Sequence, residues 1–193
     1  MQKESSLPQW GGRIIIAAFV YLACTFMVHP VPLNLATWVL WTLLDTLIAR
    51  WMKEGKNTGY SVMRAFAIGA GIISLLTIIQ IVRGETKLMW QTKETITAAC
   101  FMVALIIRQL SASESLTINM GTTAMLIAGM PTLLDVWNDS TGYDPYFWSA
   151  NTLGCAVMLL GAPGGFTNRY FPIGGIVLNG SIALLAMGLK NLF

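Results

Sequence analysis

The chain has 193 residues, 55% of them hydrophobic and only 11% charged, with a mean hydropathy of +0.63 and a net charge of +3. Soluble domains carry about a quarter charged residues, so the composition predicts an integral, multi-pass membrane protein, with the cell membrane as its expected location. The small, dispersed positive charge excludes a nucleic-acid binder. Cys24, Cys100 and Cys155 all lie in apolar stretches, which predicts neither a disulfide framework nor a zinc site; they read as small packing residues.

In chain order, MQKESSLPQWGGR is a polar N-terminus whose Trp10 suits the lipid headgroup level. A first span is predicted over 14–29. The alternative is a cleaved signal peptide, because Lys3 and Arg13 precede the apolar core, although VHPVPL offers no small-x-small cleavage site. Pro30 and Pro32 break the helix, with His29 at the break, and a second helix follows from Asn34, suited to cap it, to about Arg50. The third span is predicted over 60–82, where Gly69 and Gly71 allow close approach of a neighbouring helix. The charged loop RGETKLMWQTKE leads to a fourth span at 95–110, and SASES to a fifth at 116–137. In the fifth, Asn119 reads as a capping residue and Pro131 predicts a kink. NDSTGYDP separates it from a sixth span at 146–161; APGGFTNRYFP, with Tyr170 and Phe171 as interfacial anchors, leads to a seventh at 173–192. The expected fold is therefore all-α, with seven transmembrane helices. Spans one, four and six are short against the roughly 20 residues a bilayer needs.

Lys3, Arg13, Arg50, Lys53, Lys56, Arg64, Arg108 and Arg169 fall on the N-terminal side of this topology, and Arg83, Lys87, Lys93 and Lys190 on the other. Eight against four predicts a cytoplasmic N-terminus. An offset of 110 places Trp38 on Trp148 and Trp41 on Asn151, and an offset of 105 places IGAGII on IGGIV. These matches predict a parallel 3+1+3 repeat, with repeat A at about 14–82, a linker helix at about 95–110 and repeat B at about 116–192. A competing alignment pairs TLLD at 42–45 with TLLD at 132–135 and implies inverted halves.

NLATWVLWTLLD places Asn34, Trp38, Trp41 and Asp45 at i, i+4, i+7 and i+11, one stripe on an otherwise apolar helix. Asp45 lies five residues before Arg50, about 7.5 Å deeper at about 1.5 Å per residue. A carboxylic acid at that depth must face protein or water. Asp135, close to Trp137 and the polar NDS, reads as an acid at the interface.

GMPTLLDVWNDSTGYDPYFWSANTLG resembles the PQ-loop signature of the SWEET and SemiSWEET group, in which a proline-kinked helix, a short polar loop and an aromatic-led helix follow one another. Pro131 takes the proline position, with Thr132 where that group has glutamine. Trp148 resembles its second-helix pocket aromatic and Asn179 its third-helix pocket asparagine. The resemblance implies a small-solute carrier in which two three-helix bundles rock about a central pocket. Together with the stripe on the second helix and the offset alignment, this makes Trp38, Trp41, Trp148, Asn151 and Asn179 the expected substrate-binding residues, with Asp45 taking a proton or a cationic substrate group and Pro131 acting as hinge. The expected partners are a small-molecule solute and the lipid bilayer, with no cofactor; a homo-oligomer is compatible with the sequence.

Other classes fit less well. A retinal photoreceptor needs a lysine near the middle of the seventh helix, whereas Lys190 is three residues from the end. A single His29 and scattered carboxylates supply neither a nucleophile with its base nor a metal cluster, so no enzymatic activity is expected. A non-transporting receptor or assembly subunit of the membrane stands as the alternative.

Overall fold

The computed structural model describes residues 6–29, 34–111 and 113–189. All regular structure among them is α-helical: α1 Leu7–Val28, α2 Leu35–Glu54, α3 Tyr60–Val82, α4 Thr92–Leu110, α5 Glu114–Asn138, α6 Pro145–Gly161 and α7 Phe166–Ala186. Pro30, Pro32 and the last residues of the predicted seventh span, 190–192, lie outside the described residues.

Three of the helices, α1, α3 and α7, are long and apolar enough to cross a membrane, with mean hydropathies of 1.9, 2.3 and 1.3. The others fall short for local reasons. α6 has only 17 residues, and α2 carries Asp45, Arg50, Lys53 and Glu54.

Two boundaries differ markedly from the sequence reading. α1 begins at Leu7, with Pro8 in its first turn, where a missing N–H costs nothing. Gly11 and Gly12 continue the helix because their bareness is used for contact. A Cβ on Gly11 would collide with the backbone carbonyl of Gly154 in α6, and one on Gly12 would lie 2.8 Å from the Ser61 carbonyl oxygen. α7 begins at Phe166 and runs through Pro172, seven residues into the helix. The segment read as a loop with interfacial anchors is thus the first turns of that helix; Phe171 is buried at 1% exposure. Asn34 does cap α2, its side chain accepting from the Ala36 N–H at 3.1 Å. Asn119 does not cap α5; it lies inside the helix and donates to Thr167 Oγ1 at 3.3 Å. Gly69 admits the ring of Phe19, while Gly71 makes only ordinary contact, 3.7 Å from Thr42 Cγ2.

α3 packs on both α1 and α2, and α7 on both α5 and α6. The two groups meet where α1 lies on α6 and α2 on α5, and α4 covers α2 and α5. Polar contacts gather the helix ends. At one end Ser61 donates to the Pro8 carbonyl, Asn57 to the Thr167 carbonyl, and Arg108 pairs with Glu54 at 3.1 Å. At the other, Asn34 donates to Glu94, Lys93 pairs with Asp135, and Tyr21 donates to Asp144.

The core joins Ile15, Phe19, Leu44, Ile48, Met52, Met63 and Ile73 to Met158 and Phe171. Polar residues are buried alongside, among them Asp45, Ser74, Thr77, Glu94, Asn151 and Asn179, while Leu75, Val82, Leu110, Leu134 and Leu160 are each more than half exposed. Exposed large apolar side chains together with polar ones kept inside an otherwise apolar core fit a lipid-facing surface.

Candidate functional site

A cavity of about 400 Å³ lies between the two groups of helices, within the range of small-molecule sites. α1 contributes Phe19, Leu22 and Phe26 to its wall, spaced so that one helix face meets it. α2 contributes Asn34, Thr37, Trp38, Trp41 and Asp45, the stripe already visible in the sequence together with Thr37. α6 contributes Phe147, Trp148 and Asn151, and α7 contributes Phe171, Gly175, Leu178 and Asn179. From α3 come Phe66 and Ala70, and from α5 Met125, Gly129 and Thr132. All five residues expected to bind substrate, and Asp45, therefore share one cavity. Pro131 does not line it; its neighbour Thr132 does, and α5 continues unbroken to Asn138.

The lining reaches the segments at one end only, through Thr86, Met89, Gln91 and Lys93 before and in the start of α4, and Thr141 to Asp144 between α5 and α6. That end is the mouth. Lys93 Nζ lies 3.3 Å from Asp135 Oδ2, joining α4 to α5 there. Asp144 caps α6 by accepting from Tyr146 and Phe147 N–H groups at 2.8 and 3.0 Å, and accepts from the Tyr21 hydroxyl at 2.9 Å. Burial, with Asp135 and Asp139 adding to it, pushes the Tyr143 hydroxyl up to about 12, so it stays protonated as a donor.

The walls are aromatic. Phe19 meets Trp38, Phe66 and Phe147 edge to face at 6.5, 6.1 and 5.0 Å, and Phe66 meets Phe171 at 6.4 Å. Such contacts hold rings in fixed orientations around the space. The few polar groups are unevenly satisfied. Asn179 Nδ2 donates back to the Gly175 carbonyl at 2.7 Å. Asn151 is fully buried, yet neither its amide nitrogen nor its oxygen has a partner among the described residues. Asp45 is 3% exposed, and its Oδ1 likewise has none. An unpartnered polar atom in such a setting costs about 1–3 kcal/mol, more for a charged one. Two such side chains lining one cavity, from α2 and from α6, is what a site awaiting a ligand, proton or water looks like.

Several lining residues escaped the sequence reading. The phenylalanines of α1, α3, α6 and α7 look like any core aromatics until the helices are packed. Glu94, placed in a charged loop by the sequence reading, is 1% exposed. Its Oε1 accepts from Asn34 Nδ2 at 2.8 Å and from the Thr37 hydroxyl, and its Oε2 from the Gln91 N–H at 2.7 Å. The Gln-x-x-Glu spacing of a capping box was the available signal. The Glu94 carboxylate thereby ties the first turn of α4 to the first turn of α2 beside the mouth.

No protein-family model, curated protein or solved structure matches this chain. The fold and site define a helical protein with three candidate membrane-crossing helices and an aromatic cavity holding an unpartnered carboxyl group.

Proposed function

We propose that the protein is a small-solute membrane carrier in which seven spans form two three-helix units that rock about the central cavity, with α4 as linker. The observation that carries this reading is the cavity itself: aromatic walls, an opening at one end, and the unpartnered Asp45 and Asn151 inside. In a carrier, access alternates between the two ends of such a midplane site.

Supporting the parallel repeat is the way the two units match. The packing of α3 on α1 and α2 has its like in that of α7 on α5 and α6, and α1 on α6 in α5 on α2. The offset of 110 carries Asn34 onto Asp144, and both are helix N-caps whose side chains accept from the first turn. It also carries Thr42 onto Thr152, each of which donates to the carbonyl of the tryptophan four residues before it, at 2.7 and 2.9 Å. The offset of 105 carries Phe66 onto Phe171, two cavity residues whose rings touch.

Within this reading Trp38, Trp41 and Trp148 stack on an apolar solute face, Asn151 and Asn179 give directional hydrogen bonds, and Pro131 lets α5 bend. A carboxylate at Asp45 without a protein partner needs a proton or a cation, so the carrier takes a cationic solute or couples a neutral one to protons. The test is thermal unfolding in mild detergent against protonated amines, amino acids, sugars and vitamins, since a ligand of the folded state raises the midpoint. A shift that Asp45→Asn abolishes supports the reading. No shift with any compound, together with co-purification of a stoichiometric partner, transfers the protein to the non-transporting subunits.

A further inference from the structure

We propose that the groove between α2 and α3 at the end remote from the cavity mouth binds the phosphate headgroup of an anionic phospholipid. A recess of about 400 Å³ lies there, and its wall carries the side chains of Arg50, Lys53, Tyr60 and Arg64 with Ala49 and Ile68 and no carboxylate. Arg50, Lys53 and Arg64 come from two helices that meet at this end, so their charges converge on one recess.

The charges are largely uncompensated. Glu54 is the acid that pairs here, and it is shared: Arg50 Nε lies 2.9 Å from one oxygen and Arg108 3.1 Å from the other, while Glu114, beside Gly55, makes no ion pair with Arg50, Lys53 or Arg64. Lys53 sits 5.9 Å over the Tyr60 ring, a contact that fixes the ammonium without neutralising it. Arg64 makes no hydrogen bond or ion pair with any described residue and is exposed. Three cations with less than one carboxylate between them call for an anion with more than one acceptor oxygen, which a phosphate diester provides.

What selects a lipid over free phosphate is the surface leading away from the recess. Along α2, Val39 and Leu43 stand on the same helical face as Arg50 and Lys53; along α3, Ile68 and Leu75 stand on the face of Arg64. These four apolar side chains are 37, 47, 41 and 64% exposed. A basic recess continued by an apolar track fits a headgroup with its acyl chains, the arrangement of basic pockets between helices on the cytoplasmic side of membranes. The same end holds the excess of Lys and Arg that predicted it to be cytoplasmic. The site rests on the membrane assignment and uses no cavity residue, so it stands or falls separately from the carrier reading.

The test is native mass spectrometry of the full chain in detergent, titrated with phosphatidylglycerol, phosphatidylcholine or inorganic phosphate. One phosphatidylglycerol is expected to stay bound where phosphatidylcholine does not, with no displacement by inorganic phosphate. Lys53→Gln/Arg64→Gln is expected to weaken retention roughly 25-fold, from about fivefold per surface charge; Lys53→Arg/Arg64→Lys restores it, and Lys87→Gln at the opposite end leaves it unchanged. Asp45→Asn protein should bind the lipid as well as the wild type does. Equal retention of phosphatidylcholine, displacement by inorganic phosphate, or the same loss in Lys87→Gln overturns the proposal. Should the double variant unfold, added salt serves instead: phosphatidylglycerol retention that ignores salt overturns it equally.

Discussion

α2 and α6 carry nearly the same pattern and do different things with it. Each starts from a capping side chain, each turns a tryptophan toward the cavity, and each ties a threonine back to that tryptophan's carbonyl. Three positions deeper they diverge: Trp41 on α2 stands against Asn151 on α6. One turn further Asp45 stands against Cys155. Asp45 lines the cavity, whereas the Cys155 Sγ lies against Gly175 of α7, 2.7 Å from where a Cβ would sit. Below the mouth, where Asp144 also lines it, the cavity therefore has a carboxyl group on its α2 wall and an amide on its α6 wall. In the proposed carrier, an asymmetric site of this kind would orient its ligand with the cationic or protonated end toward α2.

The sharpest way to break the comparison is Asp45→Asn, which gives both walls an amide. It is expected to abolish any midpoint shift from a cationic ligand, and any pH dependence of transport in proteoliposomes, while the protein stays folded. A variant that keeps both removes the charge asymmetry from the mechanism. Next in size is Glu94→Ala. It deletes an acceptor used by Asn34, Thr37 and the Gln91 N–H, and since bonds to charged groups are worth about 1.5–3 kcal/mol, the loss is expected to be about 3 kcal/mol by denaturation. The corresponding tether of α6 is weaker: besides its own first turn, Asp144 is bonded only to the exposed Tyr21 hydroxyl of α1 among the described residues. Tyr21→Phe is accordingly expected to cost no more than about 1 kcal/mol.

Asn151→Leu sharpens the comparison from the other wall. With no protein partner for its amide, replacing it by a side chain of similar volume is expected to raise stability by about 1 kcal/mol while removing ligand binding. A drop in the thermal midpoint would show that the amide holds the fold rather than a ligand. The smallest expected effect belongs to Tyr143. Burial pushes its hydroxyl from the ordinary tyrosine value of 10.0 up to about 12. Its contribution is therefore present below pH 10 and lost as pH rises toward 12. The thermal midpoint should fall across that window in the wild type and fall less in Tyr143→Phe.

The wall of α2 was legible because a helical period of 3.6 turns a one-dimensional spacing into a stripe, and a carboxyl group on an apolar helix stands out by its cost. Trp148 and Asn151 were legible through their alignment with that stripe. Glu94 was not: it falls at the end of a charge-rich stretch that reads as a loop but enters the first turn of α4, and what buries it is the arrival of the α2 first turn, which no local spacing encodes. The start of α1 misled for a similar reason. Two adjacent glycines and a proline look like a break, yet at Gly11 they serve a close approach to Gly154 on a helix more than a hundred residues away.

By itself the sequence determined the all-helical class, helices apolar enough to cross a membrane, and one polar face on α2, because composition and periodicity report how each segment must be solvated. Only the tertiary structure decided that aromatics from five helices enclose one space, that Asp45 and Asn151 enter it without partners among the described residues, and that Arg50, Lys53 and Arg64 converge on a recess outside it. Those facts depend on which helix faces meet, and that is settled by shape complementarity between segments far apart in the chain.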